Sequence, residues 1–88
     1  MKIYYSSKFA REYKKLAKSI KKTAQEKEKI FRADPFDSRL KTHKLKGSLA
    51  GFWSFSINDR YRIVFEFADK ETVWFHSAGD HSIYKQWD

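Results

Sequence analysis

Phe9, Tyr13, Leu16 and Ile20 recur at intervals of four, three and four residues, the spacing of one apolar stripe on an amphipathic helix. Lys8, Arg11, Lys14, Lys15, Lys18, Lys21 and Lys22 fill much of the remaining surface, and the apolar stripe resumes at Ala24, Ile30 and Phe31. One helix from Ser7 to Arg32 would extend roughly 39 Å at about 1.5 Å per residue, more than short strands can cover. The pattern therefore predicts a break near Ser19 and two helices folded into a hairpin. Ahead of them, Lys2 to Tyr5 predicts a short strand with Ile3 and Tyr5 on one face, and Ser6 or Ser7 supplies the helix N-cap. Asp34-Pro35 closes the second helix, because proline disfavours the helical conformation at the residue before it.

Phe36 to Leu45 carry no clear period and read as an extended connection. Beyond them the period switches to two. In Phe52 to Ile57, Trp53, Phe55 and Ile57 point one way, and Phe52, Ser54 and Ser56 the other. Asn58-Asp59 forms a tight turn. From Arg60 to Phe67, Tyr61, Ile63, Phe65 and Phe67 form an apolar face, and Arg60, Arg62, Val64 and Glu66 the opposite one. Asp69-Lys70 turns the chain into a further strand from Thr72 to Ala78, which Gly79-Asp80 ends. The order is strand, two helices, then a three-strand antiparallel meander. This predicts an α+β fold in one domain, 1–88, with the helices over one sheet face and the face bearing Ser54, Ser56 and Arg62 left open.

Composition supports a folded chain. Hydrophobic residues are 41% of the 88, and aromatics 18%, too many for a disordered segment. There is no cysteine, and a short chain without disulfide staples fits a reducing cytoplasm. No apolar run reaches the length of a membrane span, and the N-terminal residues do not read as a signal peptide. The net charge of +8 is unevenly placed. Residues 1–32 hold eleven Lys or Arg against three Glu, whereas residues 33–88 hold eight of each sign. A cationic helical face concentrates polyanions and speeds encounter with them. It points to nucleic acid or an acidic protein as partner, set against a merely solvated face.

The chemistry-bearing residues are few. His43, His76 and His81 lack ligand-type spacing, so no metal is expected, and no glycine pattern marks a phosphate loop or a cofactor site. Arg62 faces away from the aromatic side in the middle strand of the meander. An arginine there binds phosphate bidentately and stabilises a phosphoryl transition state, or else it pairs with Glu66. Cutting RNA with its own 2′-OH needs a base for that hydroxyl and an acid for the leaving 5′-oxygen. His43 and His81, flanking the meander, suit those proton transfers, and each has an ordinary surface reading too. Tyr84 stacks on a base, donates a proton, or packs in the core. Lys44 and Lys46 beside His43 can hold phosphate oxygens. Trp53 alternates with Phe55 and Ile57 and is assigned to the core, and His76 is read as structural.

Three segments carry a resemblance. The stretch from His43 through Lys44, Leu45, Lys46, Gly47, Ser48, Leu49, Ala50, Gly51, Phe52 and Trp53 to Ser54 resembles the centre of RelE-superfamily toxins, above all the YoeB and YafQ branches. Asp59 to Phe65 is similar to their following strand, where an arginine precedes three apolar residues. Gly79-Asp80-His81-Ser82-Ile83-Tyr84-Lys85 is similar to their C-terminal Gly-x-His motif. The order of elements matches over essentially the whole chain.

The resemblance implies a compact microbial-ribonuclease fold and mRNA cleavage, commonly in the ribosomal A site. It also implies neutralisation by a co-expressed antitoxin in a hetero-oligomer. It assigns Arg62 to the transition-state phosphate, His43 to a candidate base, His81 to the C-terminal catalytic histidine and Tyr84 to a C-terminal aromatic. Ser54 and Ser56 stand where RelE has strand lysines. They are expected to face RNA, with two histidines replacing lysine-based catalysis. Lys14, Lys15 and Lys18 are expected on ribosomal RNA. A gyrase-poisoning, ParE-like toxin and a non-catalytic basic RNA-binding module are the competing functions.

Overall fold

The computed structural model describes residues 1–87, with side chains through Tyr84; the Lys85 side chain, at the end of the C-terminal motif, and Asp88 lie outside the described residues. The first strand, β1, runs Lys2–Tyr5. Ser6 then caps α1 (Ser7–Lys14), its Oγ accepting from the Phe9 N–H at 3.0 Å, so that one of the orphan amides at the helix start is satisfied. The helical break falls at Lys15–Ala17, not at Ser19. The Lys15 and Leu16 amides close the last turn onto Glu12 and Tyr13 carbonyls, and Ala17 is already extended. Leu16 and Ile20 both still pack against the core, because the corner turns the apolar stripe instead of interrupting it. The second helix, α2, runs Lys18–Ala33, and Asp34 is extended ahead of Pro35 as predicted.

The connection after α2 is more structured than an extended segment. Asp37 caps a single 3₁₀ turn, Ser38–Leu40, through its Oδ1 and the Arg39 N–H at 2.9 Å, and Leu40 is wholly buried. Lys41 takes a left-handed conformation (φ 54°), and His43–Lys44 then form a two-residue strand, β2. The remaining strands are β3 (Trp53–Ser56), β4 (Arg62–Phe67) and β5 (Thr72–Gly79). Asn58 builds the turn between β3 and β4, its Oδ1 accepting from the Arg60 and Tyr61 amides at 2.9 and 2.8 Å.

The three-strand meander is therefore the centre of a larger sheet of five strands in the order β1-β5-β4-β3-β2. This sheet is mixed and not wholly antiparallel: β1 joins β5 in parallel, with Tyr5 opposite Phe75, and β2 adds to β3 at the other edge. β4 and β5 pair through a bulge: Phe65 faces Phe75, Val64 faces Ser77, and Arg62 faces Gly79, so His76 is the extra residue.

The core lies between the helices and one sheet face. Phe31 is wholly buried, with ring centroids 5.0 Å from Phe55 and Phe65 and 5.5 Å from Phe75. Ile63, Phe65 and Phe55 sit on this side, as the alternation predicts, and Trp53, Tyr61 and Phe67 border it. The other face is not open. A C-terminal 3₁₀ segment, His81–Trp87, lies against its end, burying Ile83 and leaving Ser54 at 0% and Ser56 at 6% exposure. The expectation that this face is left open at both serines is thereby corrected. The meander presents them outward, and Tyr84 of the last turn closes over Ser54.

Candidate active site under the C-terminal turn

Sheet register brings the candidate residues together. His43 on β2 is the direct partner of Ser54 on β3, and direct partners share a face. His43 thus projects on the same side as Ser54, with its Nδ1 3.0 Å from the Lys41 carbonyl, a contact that orients the exposed ring. Two residues along β3, Ser56 is opposite Arg62, which is opposite Gly79 on β5. The row Ser56, Arg62, Gly79 therefore lies next to the row that holds His43 and Ser54.

The 3₁₀ segment supplies the rest. With three residues per turn, positions three apart eclipse one another, so His81 and Tyr84 stand on one side with ring centroids 6.0 Å apart. The Tyr84 hydroxyl and the Ser54 Oγ are 2.9 Å apart. His81, Tyr84, Ser54 and His43 thus follow one another from segment to sheet to edge strand. Ser54 is the buried joint of this series.

Arg62 is half-buried at the start of β4. Its Nη1 donates to the carbonyls of Asn58 and Tyr61, both in the preceding turn, which fixes the plane of the guanidinium. It does not pair with Glu66. That carboxylate instead meets His76 Nε2 at 2.7 Å, which places His76 in a structural contact.

Asp80 organises the start of the segment. Its Oδ1 accepts from the Ser82 amide and hydroxyl at 2.9 and 2.6 Å, and those bonds hold its carboxyl below the usual aspartate value, with the nearby Arg60 and His81 charges adding to the effect. Gly79 precedes it for a steric reason. A Cβ there would lie 2.5 Å from Cγ2 of the buried Ile83, so only glycine lets the segment close onto the sheet.

The basic residues divide into two sets. Lys44, exposed on β2, is the direct partner of Trp53 and shares its face, away from His43 and Ser54; its Nζ lies 5.4 Å from the Trp53 ring centroid, a cation–π contact, and exposed Lys46 follows it. Lys14, Lys15 and Lys18 are exposed at the α1–α2 corner, on the helices that cover the other sheet face; the fold does not bring them to the His43–Tyr84 cluster. Among the described residues no group of three His, Cys, Asp or Glu side chains is placed to hold a metal ion. No helix there is long and apolar enough to cross a membrane.

Residues 4–82 match the family described as the YoeB-like toxin of bacterial type II toxin-antitoxin systems. The chain belongs to this family. A Toxin YoeB of Streptomyces coelicolor is 32% identical over 76 residues, which cover 83% of this chain and 90% of that protein. A Toxin YoeB of Synechocystis is 40% identical over 45 residues, and there the chain spans only about half of the relative, 52%. The YoeB-YefM complex from Staphylococcus aureus contains a chain that superposes with a TM-score of 0.75 at 26% identity, over 92% of this chain and 97% of that one. In this YoeB-like chain the matched span takes in His43, Arg62 and His81, while Tyr84 lies two residues beyond it.

The sequence pattern missed two carboxylates that accept hydrogen bonds from the 77–82 stretch. The Asp80-Ser82 spacing is a recognisable capping signal, with a side-chain oxygen two residues ahead of the amide it accepts. The second is Glu12, whose role depends on the bulge in β5 and has no signature in the local pattern.

Proposed function

We propose that this YoeB-like toxin is an endoribonuclease that cuts mRNA, with the ribosome presenting the substrate in the cytoplasm. The observation that carries this reading is the meeting of His43, Tyr84 and His81 around Ser54, with Arg62 in the adjacent row of the sheet. In the reaction a base takes the proton of a ribose 2′-OH, and the 2′-oxygen attacks the neighbouring phosphorus. The P–O5′ bond breaks as an acid protonates the departing 5′-oxygen, leaving a 2′,3′-cyclic phosphate and a 5′-hydroxyl.

His43 and His81 take the two proton-transfer roles, which suit side chains whose ordinary pKa lies near neutrality. Arg62 neutralises the phosphate as charge builds in the transition state; anchoring by two turn carbonyls limits the reorganisation this requires. Tyr84 offers its ring to a base and its hydroxyl to a proton relay, while Ser54 and Ser56 support it from beneath. Lys44 and Lys46, exposed next to His43 along the chain, are assigned the flanking phosphates, Lys44 from the Trp53 side of the edge strand. The acid, base and cation are all protein groups, so the reaction as written needs no metal ion.

Partners follow from the same reading. Lys14, Lys15 and Lys18 meet ribosomal RNA backbone away from the cutting site, so their reversal to glutamate weakens ribosome binding and flattens its salt dependence. A co-expressed antitoxin binds the toxin in a hetero-oligomer, as YefM does the Staphylococcus aureus protein.

The test is expression of the unaltered chain and of Arg62→Ala and His81→Gln, with growth and mRNA 3′ ends followed together. Removing a general acid or base is expected to slow cleavage by about 10²–10⁴-fold and to relieve growth arrest. Arrest of equal strength in both variants refutes the mechanism. Gyrase-linked DNA breaks without new RNA ends would identify a gyrase poison instead.

A further inference from the structure

The edge of β5 changes partner halfway along. β1 pairs with it only as far as Tyr5 opposite Phe75, and the Ser6 amide donates to the Phe75 carbonyl at 3.0 Å. Beyond that point no strand among the described residues lies on this side, yet β5 continues through the bulge at His76 to Gly79. Backbone groups there need partners as buried groups elsewhere do. Residues of α1 and its cap provide them. Ser6 Oγ donates to the His76 carbonyl at 3.1 Å. Glu12 Oε1 accepts from the Ala78 amide at 3.2 Å and from the Ser77 hydroxyl at 2.7 Å. The Lys8 ammonium braces the set, 2.9 Å from Glu12 Oε2 and 3.1 Å from Ser77 Oγ. Ser77 is wholly buried and the Glu12 side chain is 19% exposed, so water is a poor substitute for these bonds.

The register that this network holds is the one the site requires. A bulge inserts one residue, and deleting it shifts every later position to the opposite face. With His76 extruded, Gly79 falls opposite Arg62 and the 3₁₀ segment starts where Ile83 can close over the glycine. Were β5 regular, Arg62 would face Ala78, which now packs on the core side beside Ile63 and would have to turn to the outer face. We infer that Glu12, far from the cluster in sequence and not part of it, is a positioning residue: through Ser77 and Ala78 it locks the β5 bulge and thereby sets Arg62 against Gly79 and aims His81. This inference rests on the ribonuclease reading for its kinetic consequence, but not for its structural one.

The experiment compares Glu12→Ala with Glu12→Gln in the full chain, measuring single-turnover cleavage of ribosome-bound mRNA alongside amide exchange and imidazole NMR signals. A glutamine oxygen still accepts from Ser77 and Ala78, whereas alanine accepts nothing. Glu12→Ala is expected to lower the cleavage rate constant by on the order of tenfold to a hundredfold at unchanged half-saturation, since small misplacements of reacting groups cost that much. It should also speed exchange at the Ala78 amide and shift the His81 ring signals. Glu12→Gln should restore all three. Unaltered Ala78 exchange and His81 signals in Glu12→Ala overturn the inference, and so does a Glu12→Gln as impaired as the alanine variant. If Glu12→Ala fails to fold, Ser77→Ala removes one of the two bonds and carries the same test. If the unaltered chain does not cleave RNA, the ribonuclease reading fails by itself, and the NMR comparison still decides the role of Glu12.

Discussion

The two faces of β3 are packed by different means. On the helix side, Phe55 meets Phe31, Phe65 and Phe75, and the rings fill the space between sheet and helices without a hydrogen bond among them. On the other side, Ser54 and Ser56 are also buried, and Tyr84 of the 3₁₀ segment meets Ser54 through one hydroxyl pair; a glycine contact, an aspartate cap and the buried Ile83 hold that segment. The first face is held by apolar area, which is nondirectional and spread over many contacts. The second buries only a few apolar side chains, Val64 and Ile83 among them, and adds directional contacts beside the candidate catalytic groups. The apolar core and the proposed chemistry thus fall on opposite sides of the same strands.

The comparison is tested most severely at Phe31. Its replacement by alanine is expected to cost about 3–5 kcal/mol, the range for deleting a wholly buried aromatic ring, because α2 and three strands converge on it. Denaturant unfolding of Phe31→Ala measures this. A loss below about 1 kcal/mol would mean that the helix-side cluster does not dominate stability.

Gly79→Ala probes the opposite face. The added methyl group meets Ile83 Cγ2, a methyl on a β-branched, buried side chain with little room to swing away. Overpacking of this kind costs about 1–3 kcal/mol. The distinctive expectation is where that cost appears: the C-terminal segment should loosen, Tyr84 should lose its protection, and RNA cleavage should fall further than global stability. Equal losses across the molecule, read by amide exchange, would erase the distinction between the two faces.

The helix-side face was also the more legible in sequence. Period-two alternation in Trp53–Ile57 and Tyr61–Phe67 placed the core rings, and the stripe from Phe9 to Ile20 placed the helices, because apolar burial imposes a period on the residues themselves. The outer face resisted such reading. Its alternation marked Ser54 and Ser56 as outward, and whether outward means solvent depends on where residues 81–87 fold back, a long-range contact with no local period. The parallel pairing of β1 with β5 and the brief β2 at His43 were hidden for the same reason. Of the site, the outward direction of Arg62 followed from alternation, the residue types of His43, His81 and Tyr84 suggested their roles, the resemblance favoured those roles over surface or core readings, and their proximity came only from register and from the 3₁₀ turn. Glu12 was one more charged residue on a basic helix until the bulge gave it partners.

A smaller effect is expected from Tyr84→Phe. The ring stays and only the hydroxyl is lost, leaving the buried Ser54 Oγ without that contact. An unmatched buried hydroxyl costs about 1–2 kcal/mol. Ser54→Ala removes the other member, and the double variant should recover part of the loss, because it leaves no orphan. Additive losses from thermal unfolding of the single and double variants would show that the hydroxyl pair does not couple segment to sheet.

The smallest effect separates the two regions by pH. Asp80 caps the segment over the site, and Asp37 caps the 3₁₀ turn that carries Leu40 into the core. Both carboxyls are held below the ordinary aspartate value. For Asp37 the side-chain and backbone bonds from Arg39 lead, bringing it to about 2, and for Asp80 the bonds from Ser82 lead. A depressed carboxyl binds protons more readily in the unfolded chain, so its contribution is complete above the ordinary value near 3.8 and fades as pH falls through the folded value. Acid titration should therefore release the C-terminal segment in step with Asp80, followed by the His81 and Tyr84 NMR signals. Asp80→Asn, which keeps the amide acceptor but cannot titrate, should remove that transition and leave the low-pH behaviour set by Asp37 intact. If the segment's signals shift at the same pH in the asparagine variant, the cap does not govern the turn, and the contacts at Gly79 and Ser54 must hold it alone.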